Sequence, residues 1–144
     1  MKPKYLYHGS VKRIEGNKLL PRQARDLENL PENLHKVVYA TNIKNIAIAM
    51  AIISCRGVNA SSLKFKKKPF GIIYEGSPKQ NYIYLCVLPS KTFKQEGGGG
   101  NQYYSLKPVK PIKVEKLKVR DYLLLVRKAT KKEKWNKKYG VKNK

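Results

Sequence analysis

Few side chains in this sequence have the reactivity for catalysis, and they are widely spaced. His8 follows Tyr7 and precedes Gly9-Ser10. An imidazole at the end of a strand is most often a structural hydrogen-bonder, although its near-neutral pKa also suits acid–base or binding work. Tyr39 lies in the apolar run Val37-Val38-Tyr39-Ala40, where a core tyrosine with a satisfied hydroxyl is the default. Gln102 opens the run Gln102-Tyr103-Tyr104-Ser105, just after four consecutive glycines at 97–100. That loop lacks the following Gly-Lys-Ser/Thr of a phosphate-binding loop. No Gly-x-Ser-x-Gly nucleophile elbow is present. With nine Asp+Glu the chain has few candidates for a general base, and Glu75 and Glu96 stand nearest to apolar runs. Cys55 and Cys86, with His8 and His35, have neither zinc-site spacing nor the density of a disulfide scaffold. They are expected to be buried small hydrophobes in a reducing, cytoplasmic setting.

Charge is the strongest compositional signal. The formal net charge is +23, from 32 Lys+Arg against 9 Asp+Glu. Residues 1–60 carry ten basic residues against four acids, and residues 61–144 carry 22 against five. The excess concentrates at Lys64, Lys66, Lys67 and Lys68, and in the final stretch KATKKEKWNKKYGVKNK. There Lys131, Lys132, Lys134, Lys137 and Lys138 surround Trp135 and Tyr139. Lysine outnumbers arginine 26 to 6, which favours diffuse phosphate attraction over bidentate base reading. These lysines are the expected contacts for a nucleic acid or other polyanion, with a merely solvated face as the plain alternative.

The elements that must position these groups fit one domain of 144 residues. Tyr5–His8 reads as a strand ended by a Gly9-Ser10 turn, and Arg22 to Leu30 as a helix behind Pro21. Val37–Ala40 reads as a buried strand. Thr41 or Asn42 then caps a helix reaching about Ser54, apolar on nearly every face and so placed centrally, with Gly57 ending it. Gly71–Glu75, Tyr82–Leu88, Gln102–Ser105 and Tyr122–Val126 read as strands, with further extended chain at Ile112–Val114 and Leu117–Val119. The sum is a small α+β domain over 1–127 with a Lys-rich C-terminal tail over 128–144. The longest apolar run, Ile46–Ile53, is too short to span a membrane, and the opening Met1-Lys2-Pro3-Lys4 does not lead into a secretion signal.

In combination, the scattered residues say more. Tyr5-Leu6-Tyr7-His8-Gly9-Ser10, a Leu-x-Pro turn, Val-Tyr-Ala-Thr at 38–41 before an Ala-rich helix, and Asn-Gln-Tyr at 101–103 occur in a set order. This order resembles the ADP-ribosyltransferase fold of the diphtheria-toxin and poly(ADP-ribose) polymerase branch. The bacterial rifampin ADP-ribosyltransferases are similar in size and in the His-Gly-Thr of their early Tyr-x-His-Gly-Thr, which His8-Gly9-Ser10 resembles. The resemblance covers roughly residues 5–127 and rests on three short motifs. It implies a split antiparallel sheet with a buried central helix, and NAD as substrate. It further implies that His8 hydrogen-bonds a ribose, Gly9 holds the nicotinamide amide through its backbone, and Tyr39 stacks on the nicotinamide ring. Gln102 stands where the polymerase branch has its glutamate.

Two departures from that pattern bear on activity. Gln102 can hydrogen-bond a ribose hydroxyl but supplies no negative charge to a developing oxocarbenium ion. Ala47 stands where the polymerases often have serine. A third branch of the fold, the NAD-using RNA 2′-phosphotransferases, needs basic residues for RNA phosphate. Arg13, Arg22, Arg25 and Arg56 are available here, although that branch's motif is not matched. The resemblance therefore points to an NAD-dependent mono-ADP-ribosyltransferase or slow NAD hydrolase acting on a polyanionic or nucleic-acid-associated target. Its rival is a non-catalytic, basic nucleic-acid-binding protein.

Overall fold

The computed structural model describes residues 2–14, 18–23, 36–64, 68–95 and 101–139. Their strands form two sheets with one helix between them. The larger sheet has the order β7-β8-β3-β1-β6-β9, with β2 pairing on β3. Its strands are β1 (Tyr5–Ser10), β2 (Arg22–Gln23), β3 (Lys36–Thr41), β6 (Tyr82–Pro89), β7 (Lys94–Gln95), β8 (Gln102–Ser105) and β9 (Lys113–Lys118). All its pairings are antiparallel. The smaller sheet has the order β10-β5-β4, from β4 (Val58–Leu63), β5 (Gly71–Gly76) and β10 (Val126–Lys128), with β10 parallel to β5. The protein is thus a small α+β domain, as its sequence predicts.

Helix α1 (Lys44–Ile53) is the centre of the fold. Six of its ten residues are buried, spread around the helix rather than along one stripe, because it is covered on two sides. Ala47, Ile48, Ala51 and Ile52 pack with Ile83 and Leu85 of β6. Ile46 and Ala49 pack with Phe70, and Leu63 of β4 and Val126 of β10 close that side. A second apolar cluster covers the opposite face of the large sheet, where Leu6, Val38, Ala40, Cys86 and Leu88 meet Phe93 and Val109. The period-2 alternation of β1 and β6 divides their side chains between the two clusters. Leu6, Cys86 and Leu88 go one way, and Tyr7, Ile83 and Leu85 the other.

Several local expectations differ from what forms. Gly9-Ser10 is not a turn: both residues continue β1, opposite Leu85 and Tyr84 of β6. The helix expected from Arg22 begins as strand β2 against β3, and its remainder lies outside the described residues. Helix α1 starts after Ile43 and has no side-chain cap. Thr41 is the last residue of β3, and its Oγ1 accepts from the Ile43 amide at 3.2 Å. Gly57 does not end α1, whose C-cap is Ser54. It turns the chain into β4 with φ 95°. The apolar run Tyr122–Val126 is mainly a 3-10 helix (Val119–Leu125) rather than a strand, since such a run carries no periodicity to decide between the two.

The Lys-rich C-terminal tail of the sequence carries regular structure within its described residues. It begins inside β10 and continues as α2 (Lys131–Lys138). Thr130 and Glu133 form a capping box there. Glu133 also takes both guanidinium nitrogens of Arg127, at 2.7 and 2.8 Å. Arg127, and after it the Thr130 amide, hold the Glu133 carboxyl down at a pKa of about 2. Among the described residues no helix is long and apolar enough to cross a membrane.

Candidate active site

The site is built at a parting of the large sheet. Strand β1 is fully paired with β6 along its six residues, but its register with β3 is carried by the single pair Tyr7–Thr41. Beyond that pair the two strands separate. The imidazole of His8 bridges the gap, its Nδ1 standing 2.7 Å from the Tyr39 carbonyl oxygen. A carbonyl only accepts, so Nδ1 carries the proton and donates. In the neutral tautomer compatible with this bond, Nε2 is the acceptor nitrogen.

A small cavity lies at this parting. Tyr7, His8 and Gly9 of β1, Tyr39 and Thr41 of β3, Gln102 of β8 and Met50 of α1 line it. Strand β8 reaches it because Gln102 pairs with Thr41, and the Asn42 amide donates to Asn101 at 3.3 Å. The structure thus brings His8, Gly9, Tyr39 and Gln102 together, from three strands, around one cavity. Its volume is about 40 Å³, against roughly 300–1,000 Å³ for pockets that enclose whole ligands. Met50, an unbranched and adaptable side chain, forms the helix side of the wall. No carboxylate lines the cavity among the described residues.

Gly9 has a packing reason to be glycine. A Cβ there would stand 2.1 Å from the Ala47 carbonyl oxygen and 3.0 Å from the Ala51 Cβ. Helix α1 lies directly on the strand at this point. Ala47, fully buried under Gly9, belongs to that contact and does not line the cavity.

The other expected residues fall elsewhere. Glu75 is exposed on β5, away from the cavity, and Glu96 and His35 lie outside the described residues. Cys55 and Cys86 are buried free thiols, and burial pushes both pKa values up to about 11. Lys64 and Lys68 are exposed beside β4 and β5, whereas Lys66 and Lys67 lie outside the described residues. Lys131, Lys132, Lys134, Lys137 and Lys138 are exposed on α2, and Lys137 stands 4.8 Å over the Tyr74 ring. The sequence reading did not single out Tyr7, Thr41 or Met50. Thr41 had a legible signal, since it follows Tyr39 by two residues in a strand and so faces the same side. Met50 had none before α1 was placed against the sheet.

No family model, curated protein or solved structure matches this chain.

Proposed function

We propose that this protein is an NAD-dependent mono-ADP-ribosyltransferase, or a slow NAD hydrolase, acting on a polyanionic or nucleic-acid-associated target. One observation carries the reading: His8, Gly9, Tyr39 and Gln102, far apart in sequence, line one cavity where β1 and β3 part. Transfer breaks the bond between nicotinamide and the ribose C1′, and nicotinamide leaves with the electron pair. An acceptor nucleophile, or water, then bonds to C1′ and loses a proton. His8 Nε2 suits a ribose hydroxyl as donor, because Nδ1–H is committed to Tyr39. The Tyr39 ring offers a face to nicotinamide, and the Gln102 amide a dipole to the ribose. NAD requires the cavity to widen, with Met50 the adaptable part of its wall.

The cation that develops at C1′ meets no carboxylate among the described lining residues, so turnover is slow. One preorganised electrostatic contact is worth on the order of 10²–10³ in rate. Nicotinamide release should therefore rise by about that factor in Gln102→Glu and fall in His8→Ala. In Glu96→Gln it should fall only if Glu96 supplies the missing charge. NAD should also raise the melting temperature, because a ligand held only by the native state stabilises it. Failure of NAD to shift the melting temperature, with no release by any variant, defeats the reading. The second reading, a non-catalytic nucleic-acid-binding protein, is favoured by the absence of that carboxylate and by the ordered lysines of α2. It predicts a melting shift with DNA or RNA and none with NAD.

A further inference from the structure

A second recessed surface, away from the cavity at His8, runs along paired β6 and β9 and continues past Tyr82 and Lys118 to the 3-10 helix and β10. Three hollows run together there. One of about 690 Å³ shares Tyr82 with a second of about 590 Å³, and the second shares Arg13 and Tyr84 with a third of about 440 Å³. Among the described residues no Asp or Glu lines any of the three.

The pattern follows from two strands in register. Tyr82 pairs with Lys118, and Tyr84 with Lys116. Alternation places all four side chains on one sheet face, with like residues roughly 7 Å apart along each strand. Tyr82 is 39% exposed, and the Lys116 ammonium stands 4.2 Å over its ring. The one acid of β9, Glu115, is turned to the opposite face, where it pairs with Lys113 at 2.9 Å and Lys44 of α1 at 3.9 Å. Arg13 and Lys79 add cations along the rim.

We propose that this face binds single-stranded nucleic acid, with bases stacked on Tyr82 and Tyr84 and phosphates held by Lys116, Lys118 and Arg13. Rows of cations beside exposed rings are what an unpaired strand requires: lysines for the backbone and ring faces for bases that a duplex keeps stacked. Lysine in place of arginine at the paired positions favours sequence-tolerant binding. In binding, Lys116 leaves the Tyr82 ring for a phosphate and frees that face for a base. The surface is distinct from the α2 lysines and does not depend on NAD chemistry.

The test uses the full chain without NAD and fluorescein-labelled oligothymidine and oligouridine of about ten nucleotides, within the usual site size for a stacking platform. A DNA duplex of equal length is the comparison, and anisotropy is read across a salt series. Either single strand should bind more tightly than the duplex. The log–log salt slope should be about −2 for three phosphate contacts at about 0.7 each. Lys116→Ala/Lys118→Ala should reduce that slope by about 1.4. Tyr82→Ala/Tyr84→Ala should weaken binding about tenfold or more while leaving the slope unchanged. Because Tyr84 is partly buried, circular dichroism melting accompanies that pair. The exposed lysine pair gives an independent reading. Unchanged affinity and slope in Lys116→Ala/Lys118→Ala overturns the proposal, as does loss of binding only when Lys131, Lys132 and Lys134 are replaced by alanine. Equal affinity for duplex and single strand overturns it as well. Failure of NAD to bind leaves this result untouched, so the two readings fail separately.

Discussion

Replacing Gly9 with alanine separates the role the resemblance gives this residue from the role its surroundings give it. The added Cβ meets the Ala47 carbonyl oxygen at 2.1 Å, about 1 Å inside ordinary van der Waals contact. That oxygen belongs to the backbone of a buried helix and cannot swing aside as a flexible side chain does. Either β1 gives way, against six register pairs with β6, or α1 retreats from the sheet and loosens Ala47, Ile48, Ala51 and Ile52 from Ile83 and Leu85. Overpacking of this kind costs about 1–3 kcal/mol or more. A rigid obstacle argues for the upper end, about 3 kcal/mol. Alanine returns roughly 0.4–1 kcal/mol by restricting the unfolded chain, leaving a net loss of about 2 kcal/mol. At about 4 °C per kcal/mol for a domain of this size, the melting temperature should fall by about 8 °C. Circular dichroism melting and urea titration without ligand measure this directly. Adding Ala51→Gly should not rescue the variant, because the obstruction is the Ala47 oxygen. A Gly9→Ala protein that melts like the natural one would refute the packing account and leave ligand binding as the reason for glycine.

The docking of α2 should depend on acid. Arg127 holds the Glu133 carboxyl at about 2 in the folded protein, below its ordinary value near 4.5. The contribution is therefore complete above about pH 4.5 and is lost as pH falls toward 2. Its size is about 1 kcal/mol, that of a partly exposed bidentate pair screened by solvent. Trp135, the single tryptophan, lies on α2 and reports this loss by fluorescence, and Glu133→Gln should abolish the pH dependence. For the two thiols, burial and pKa values of about 11 predict negligible alkylation of native protein at pH 8. Both should be labelled in denaturant, and rapid native labelling of Cys55 or Cys86 would contradict the packing.

The strands best read from the sequence were those with buried, β-branched or alternating side chains, Val37–Ala40 and Tyr82–Leu88, because their burial writes itself into residue type. Helix α1 was legible for a related reason: apolar residues on nearly every face need cover on every side, and two sheets supply it. Strand β4 left no such mark. Its Val-Asn-Ala-Ser-Ser-Leu has no alternation, and it extends through pairing with β5. By composition the lysine-rich C-terminus reads only as a tail. A capping box and one Arg127–Glu133 contact make it a helix, through local hydrogen bonds that net charge does not reveal. The residue types of the candidate site, His8, Gly9, Tyr39 and Gln102, were readable as ordered motifs. Their meeting at one cavity was decided by the sheet order, which sets β8 beside β3 and β3 beside β1, and by the parting of β1 from β3 after Tyr7. The Tyr-x-Tyr and Lys-x-Lys alternations of β6 and β9 were equally present in the chain. Only cross-strand register turned them into one face, because residues more than 30 apart in sequence acquire a common side only when their strands pair.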